Sequence, residues 1–165
     1  REFQPNDVEA LVKYANNYAV SRFLRDGFPF PYTFDDAVKW IDYVKKNNLN
    51  FTLAIANDIE LVGAIGAIPY VDVHRFSAEV GFWLGEPFWN KGIISGALKT
   101  FCNFLFTNYD FNRLTANVFE YNDASKRVLE KNGFILEGTH RKSVFKENRF
   151  VDHYSYGLLK EDFKI

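Results

Sequence analysis

The hydrophobic pattern divides the chain into segments of different period. Asn6-Asp7 follows Pro5 and opens a helix whose apolar stripe is Val8, Leu11, Val12 and Ala15. Ser21 to Tyr32 breaks the pattern with Asp26-Gly27 and two prolines in Phe28-Pro-Phe-Pro-Tyr32. Thr33 can cap a second helix, with Asp35 and Asp36 in its first turn and Phe34, Val38, Ile41 and Val44 facing inward. Lys45-Lys-Asn-Asn48 ends it.

Phe51 to Ala56 alternates as a strand, Asn57 to Glu60 turns, and Leu61 to Ile68 returns, a hairpin. After a loop from Pro69 to Phe76, the run Ser77-Ala-Glu-Val-Gly-Phe-Trp-Leu84 is an apolar, aromatic strand. Gly85-Glu-Pro-Phe-Trp-Asn-Lys-Gly92 is a loop, and apolar residues at 94, 97, 98, 101, 104 and 105 then take helix spacing.

Arg113 to Phe119 is a strand, and Asn122 to Gly133 is a short helix capped by Asn122 or Asp123 and stopped by the glycine. Phe134 to Glu137 opens a strand. Arg141 to Phe145 pairs with Phe150 to Leu159 across Lys146-Glu-Asn-Arg149. The sum is a mixed sheet with helices on its faces, of α/β or α+β class. Strands 77–84 and 113–119 flank a helix, which predicts parallel neighbours with a right-handed crossover.

Composition narrows the function. The 165 residues fit one domain, residues 1–165, and 47% apolar with 18% aromatic residues argues against disorder. A net charge of −1 offers no basic field for nucleic acid. No apolar run approaches the ~18 residues of a membrane span. The single cysteine, Cys102, lies within a helical pattern and reads as a small buried hydrophobe rather than a nucleophile. His74, His140 and His153 lack metal-ligand spacing. With Arg1 first and no methionine, the start of the protein is expected upstream.

Candidate chemistry centres on Asn90, Lys91 and Gly92, where the helix after strand 77–84 begins. A helix start offers unpaired N–H groups and a positive dipole end, and glycine lets an anion approach the backbone. The nucleoside-triphosphate loop and the Gly-x-Gly-x-x-Gly fingerprint are both absent. On this stretch alone, a phosphate-binding turn and a plain strand-to-helix turn stand equal.

Five segments in order resemble one family: Ala78 to Leu84, Phe88-Trp-Asn-Lys-Gly92, Asn122-Asp-Ala-Ser125, Val128 to Phe134, and Asp152-His-Tyr-Ser-Tyr156. They resemble the GNAT superfamily of acyl-CoA-dependent N-acetyltransferases, in its RimJ/RimL-like branch of ribosomal-protein N-acetyltransferases. The resemblance covers nearly the whole chain. It implies acetyl-CoA as cosubstrate, held along Phe82, Trp83 and Leu84, on the turn Asn90, Lys91, Gly92, Ile93, Ile94 and Ser95, and by Asn122 and Ser125.

The departures matter too. Ile94 replaces a small residue of the family's phosphate loop. The family's acid tyrosine would fall at Leu129, which leaves Ser125 as the group that helps thiolate departure. The RimL-like base would align near Val144, which leaves Glu79, acting through water, as the catalytic base, with a rim or structural carboxylate as its plainer reading. His74 is a second base candidate, with an idle exposed histidine as the alternative.

An α-amine (pKa about 7.7–8.0) tolerates a missing strong base better than lysine (about 10.4). The expected acceptor is therefore a protein or peptide N-terminus, with the aromatic loop 28–32 as a wall or as plain packing. Asn122 is expected both to cap its helix and to face the cosubstrate. Two alternatives stay open: a small-molecule acetyltransferase for polyamines, amino acids or antibiotics, and an acyl-CoA sensor of weak catalysis. The resemblance implies a cytoplasmic monomer or homodimer that uses no metal.

Overall fold

A computed structural model describes residues 1–46 and 51–164. Three helices come first: α1 (Val8–Ala15), α2 (Tyr18–Ser21) and α3 (Phe34–Lys46). They are followed by β1 (Thr52–Ala56), β2 (Leu61–Pro69), β3 (Ser77–Leu84), α4 (Ile93–Asn108), β4 (Arg113–Phe119), α5 (Asp123–Lys131), β5 (Ile135–Lys146) and β6 (Arg149–Leu159). The strands make one mixed six-stranded sheet in the order β1-β2-β3-β4-β6-β5. β3 and β4 are parallel, as their flanking helix predicts. The pairs β1–β2, β4–β6 and β5–β6 are antiparallel. Contacts divide the chain into two compact units, Arg1–Gly66 with Phe82–Ile93, and Ala67–Gly81 with Ile94–Ile165.

In the first unit, Pro5–Asp7 forms a single 3-10 turn, and α1 proper starts at Val8. The reason is local. The Asp7 carboxylate accepts from the Gln4 backbone N–H at 2.7 Å and from the Arg1 guanidinium at 2.7 Å, tying the turn to the chain start. The Arg1 guanidinium and the Gln4 N–H offset the burial of that carboxylate and hold it below the usual range.

Thr33 and Asp36 cap α3 reciprocally: Asp36 N donates to Thr33 Oγ1 at 3.2 Å, and Thr33 N donates to Asp36 Oδ2 at 2.9 Å. The inward stripe of α3 is Ala37, Ile41 and Val44, packed with Leu11, Ala15, Tyr32 and Leu61. Phe34 and Val38 were expected inside and are not; they are 58% and 38% exposed. Small Ala37 takes the inward place, and Phe34 and Val38 line an open groove with Pro5, Val8 and Ile41. The one-turn α2 carries no apolar period of its own and is set by Asn17, whose Oδ1 accepts from Ala19 N at 2.8 Å. The expected helix end at Asn47-Asn48 lies outside the described residues.

In the second unit, α4 buries Leu98, Phe101, Cys102, Leu105 and Phe106. Burial pushes the Cys102 thiol up to about 12, so it packs as a hydrophobe and is no nucleophile at neutral pH. β5 is one strand where the sequence pattern shows two pieces. Its register shifts between His140 and Val144, where Lys142 takes a φ of 49°. Glu147 and Asn148, both left-handed at φ 52° and 58°, turn β5 into β6, the geometry a two-residue hairpin requires.

Candidate functional site

The first unit holds the end of β3 and the loop after it. Leu84 is buried, while Phe82 and Trp83 are half-buried. The Trp83 ring meets Phe28 edge-on at 5.7 Å, and Phe28 meets Tyr32 at 5.1 Å. The aromatic loop therefore packs through Phe28 and Tyr32 and leaves Phe30 exposed. The loop after β3 is fastened to its own strand and to β2: the Trp89 indole Nε1 donates to Leu84 O at 2.7 Å, Trp89 N to Glu86 O at 3.1 Å, and Gly85 N to Val62 O of β2 at 2.8 Å. Asn17 Nδ2 donates to Glu86 at 2.6 Å.

The chain then reaches Asn90 (φ 59°) and Gly92 (φ 75°), two left-handed positions in three residues, and α4 starts at Ile93. Gly92 is needed for its backbone angle, because a Cβ there would meet nothing within 4 Å. Asn90, Lys91 and Gly92 are exposed, and the first-turn N–H groups of α4 have no partner within the helix. Open space, a glycine and a helix start suit a phosphate. The Lys91 ammonium lies 5.7 Å from the centre of the Phe88 ring.

The second unit holds Ile94, Ser95, Glu79, Asn122 and Ser125. Ile94 and Ser95 are half-buried. Ser95 Oγ accepts from Asn132 Nδ2 at 3.1 Å, which ties the start of α4 to the end of α5. Asn122 is 8% exposed and caps α5, its Oδ1 accepting from Ser125 N at 3.2 Å. The Ser125 hydroxyl takes no part in that cap. Leu129, one turn on, is fully buried, so no proton donor stands at that position. Tyr154 lies under the Lys126 ammonium, 4.6 Å from the ring centre.

Glu79 is half-buried, with Tyr70 Oη at 3.5 Å; the same hydroxyl lies 3.1 Å from Thr115 Oγ1. The ladder between β3 and β4 covers Ser77–Glu79 against Arg113–Thr115, while β4 goes on pairing with β6 through Phe119. His74 is exposed beside Tyr70.

Register places a polar layer around Glu79. Opposite Asn117 is Ser155, opposite Phe119 is His153, and opposite His153 on the other side is His140. The His140 and His153 rings stack at 4.4 Å, 14° from parallel. His140 Nε2 meets Ser155 Oγ at 3.0 Å, and Ser155 Oγ donates to Asn117 Oδ1 at 2.7 Å. Ser143 Oγ meets His153 Nδ1 at 2.8 Å and donates to the His140 carbonyl at 2.9 Å. Farther along this face, Arg113 pairs with Glu137 directly over Gly157, where any Cβ would collide with the carboxylate.

Burial holds the His153 imidazole below its usual value; His140 adds to this, and the Glu79 charge opposes it. Sequence reasoning weighed these histidines only as metal ligands and missed the layer. The signal was present in Arg113-Leu-Thr-Ala-Asn-Val-Phe119, where polar residues alternate with core residues. Among the described residues no group of three or more His, Cys, Asp or Glu is placed to hold a metal ion.

Comparison with known proteins bears on all of this. Residues 1–135 match the profile of the acetyltransferase (GNAT) domain family. An uncharacterized N-acetyltransferase of Bacillus subtilis, YnaD, is 28% identical over 163 residues, 98% of this chain and 93% of that protein. The ribosomal-protein-serine acetyltransferase of Escherichia coli is 31% identical over 105 residues, 64% of this chain and 58% of that protein. The solved structure of RimL, a ribosomal L7/L12 alpha-N-protein acetyltransferase in complex with coenzyme A, shares the fold with a TM-score of 0.84 at 21% identity, covering 96% of this chain and 92% of that one.

Proposed function

The chain belongs to the acetyltransferase (GNAT) domain family and is an N-acetyltransferase, and we propose that its acceptor is the α-amino group of a protein or peptide N-terminus. The observation that carries this reading is the aliphatic Val144, paired with Val151 between β5 and β6, where the RimL-like base would fall; a missing strong base suits an α-amine and not a lysine. The likeness to the E. coli ribosomal-protein-serine acetyltransferase supports it.

Acetyl-CoA supplies an electrophilic thioester carbonyl. Asn90 to Ser95 hold its pyrophosphate on backbone N–H groups, with Lys91 adding charge, and Phe82 to Leu84 with Asn122 line its pantetheine arm. Ser125 donates a proton to the departing sulfur. Glu79, with Tyr70 beside it, orders the water that carries the acceptor's proton away. The whole chain works as one acetyltransferase domain.

Two measurements test the proposal. Thiol release from acetyl-CoA should occur with peptides carrying a free N-terminus and be absent with N-blocked peptides whose sole amine is lysine; the reverse result overturns the acceptor reading. Calorimetric titration should show acetyl-CoA bound at least tenfold more weakly by Gly92→Asp than by Gly92→Asn. Both variants share the left-handed backbone, and only one places a carboxylate where the anion belongs. Equal affinities overturn the phosphate placement.

A further inference from the structure

We propose that His153 is the base that takes the proton from the acceptor's α-ammonium, through Nε2, with Ser143 as the residue that fixes its tautomer. This rests on the α-amine reading above and names the group that serves it.

Hydrogen counting carries the assignment. Ser143 Oγ lies 2.9 Å from the carbonyl oxygen of His140, and two oxygens this close need a hydrogen between them. The carbonyl has none, so the single Ser143 hydrogen goes there. Its other contact, 2.8 Å to His153 Nδ1, must then be donated by the imidazole. Nδ1 therefore carries the ring proton and Nε2 keeps its lone pair. The same count fixes His140 in the opposite sense: Ser155 gives its hydrogen to Asn117 Oδ1 and accepts from His140 Nε2–H. Of the two stacked rings, His153 is the half-buried one and His140 is exposed.

The surroundings suit a base that is neutral before the reaction and charged after it. The charged and titratable groups on the face of His153 are Glu79 from β3 with the Tyr70 hydroxyl beside it, His140 from β5 and, farther along, the mutually paired Arg113 of β4 and Glu137 of β5; nearest to His153, β4 offers the uncharged Asn117 and Phe119. Burial and His140 favour the neutral ring, while the Glu79 charge favours the imidazolium once formed. An imidazole held below its ordinary value is a weak base, closer in strength to an α-ammonium than to the more basic lysine ammonium. A weak base of this kind suits an α-amine better than a lysine.

The step balances. Nε2 takes one proton from R–NH3+, leaving R–NH2. The nitrogen lone pair forms the C–N bond as C–S breaks. The nitrogen's next proton makes up for the one Ser125 delivers to sulfur. The imidazolium releases its proton to water, so the net products are amide, thiol and one proton.

Two arms test the assignment. Imidazole 1H–15N spectra of the protein at pH 8 should show His153 protonated on Nδ1 and bare on Nε2. A proton on Nε2 overturns the proposal without touching the acceptor reading. With a peptide bearing a free α-amine, His153→Gln should lower kcat/KM about 100-fold at pH 7 and recover most of the loss by pH 9.5, where the amine is neutral unaided. Ser143→Ala should lower it less and raise the Nε2–H fraction. An unchanged rate for His153→Gln at pH 7, or a loss independent of pH, sinks the base. Where His153→Gln fails to fold, the spectra alone decide. A parent that acetylates no α-amine sinks the acceptor reading instead.

Discussion

The strands β3, β4 and β6 present two faces that differ in kind. One carries Ala78, Val80, Leu114, Ala116, Val118, Tyr156 and Leu158, each no more than 5% exposed. The α5 helix closes over it, with Tyr156 Oη donating to Glu130 at 3.2 Å. The other face carries Glu79, Thr115, Asn117, His153 and Ser155 on the alternate residues of the same strands. The backbone is shared, so the difference lies wholly in side-chain parity. One face holds the fold together, and the other holds polar groups in fixed orientations through bonds among themselves.

That division can be broken or sharpened by substitution. The largest effect is expected at Ser125, the proposed proton donor, on the helix that covers the apolar side. Ser125→Ala should lower kcat by roughly 10²- to 10⁴-fold and leave the thermal midpoint in place, since the cap uses its backbone N–H, which alanine keeps. Parallel kinetics and thermal melts check both halves. A parent-like rate would remove Ser125 from the mechanism.

Next comes the core itself. Leu158→Ala leaves a cavity beside Gly133 and should cost about 2–5 kcal/mol in denaturant unfolding. Asn117→Ala, on the opposite face, should stay within about 0.5 kcal/mol. Equal losses would erase the contrast. Asn122→Ala should cost about 1 kcal/mol, a fall of roughly 2–4 °C in thermal midpoint for a domain of this size.

The smallest effect is at the Arg113–Glu137 pair. Arg113 holds the Glu137 carboxylate below its ordinary value, so the folded state binds its proton less readily than the unfolded chain. The contribution is present above the unfolded value of about 4.3 and is lost as the pH falls below it. Because the pair is partly exposed, Glu137→Gln should cost less than about 1 kcal/mol at pH 7, and nothing measurable once the carboxylate is protonated in both the folded and the unfolded state. Urea midpoints at pH 7 and pH 3 give the comparison.

The same two faces explain what the sequence made legible. Strong period-2 and period-3.6 patterns located β3 and β4 at the observed bounds and α5 to within two residues. Asn122 and Gly133 marked the ends of α5 through capping chemistry that acts over three residues. Phe34 and Val38 went wrong because periodicity reports a stripe and cannot tell its centre from its margin; Ala37, which adds little hydrophobic signal, holds the centre. The histidine layer was hidden for another reason. His140 and His153 meet only through the β5–β6 register, and that register contains a shift between His140 and Val144 that no local pattern announces. Glu79, already singled out, was the one member visible from a single strand.

The Trp89 indole hydrogen bond to Leu84 O has a consequence for entropy. It closes the stretch 84–89 into a ring of chain, and the turn within it and the Asn17 contact remove further freedom before any ligand arrives. Ordering a backbone residue costs about 1–2 kcal/mol. For these residues that cost falls at folding rather than at binding. Under the proposed phosphate placement, a ligand meeting Asn90 to Gly92 would find a rigid approach from the strand side, and its affinity would reflect contacts made and little chain frozen.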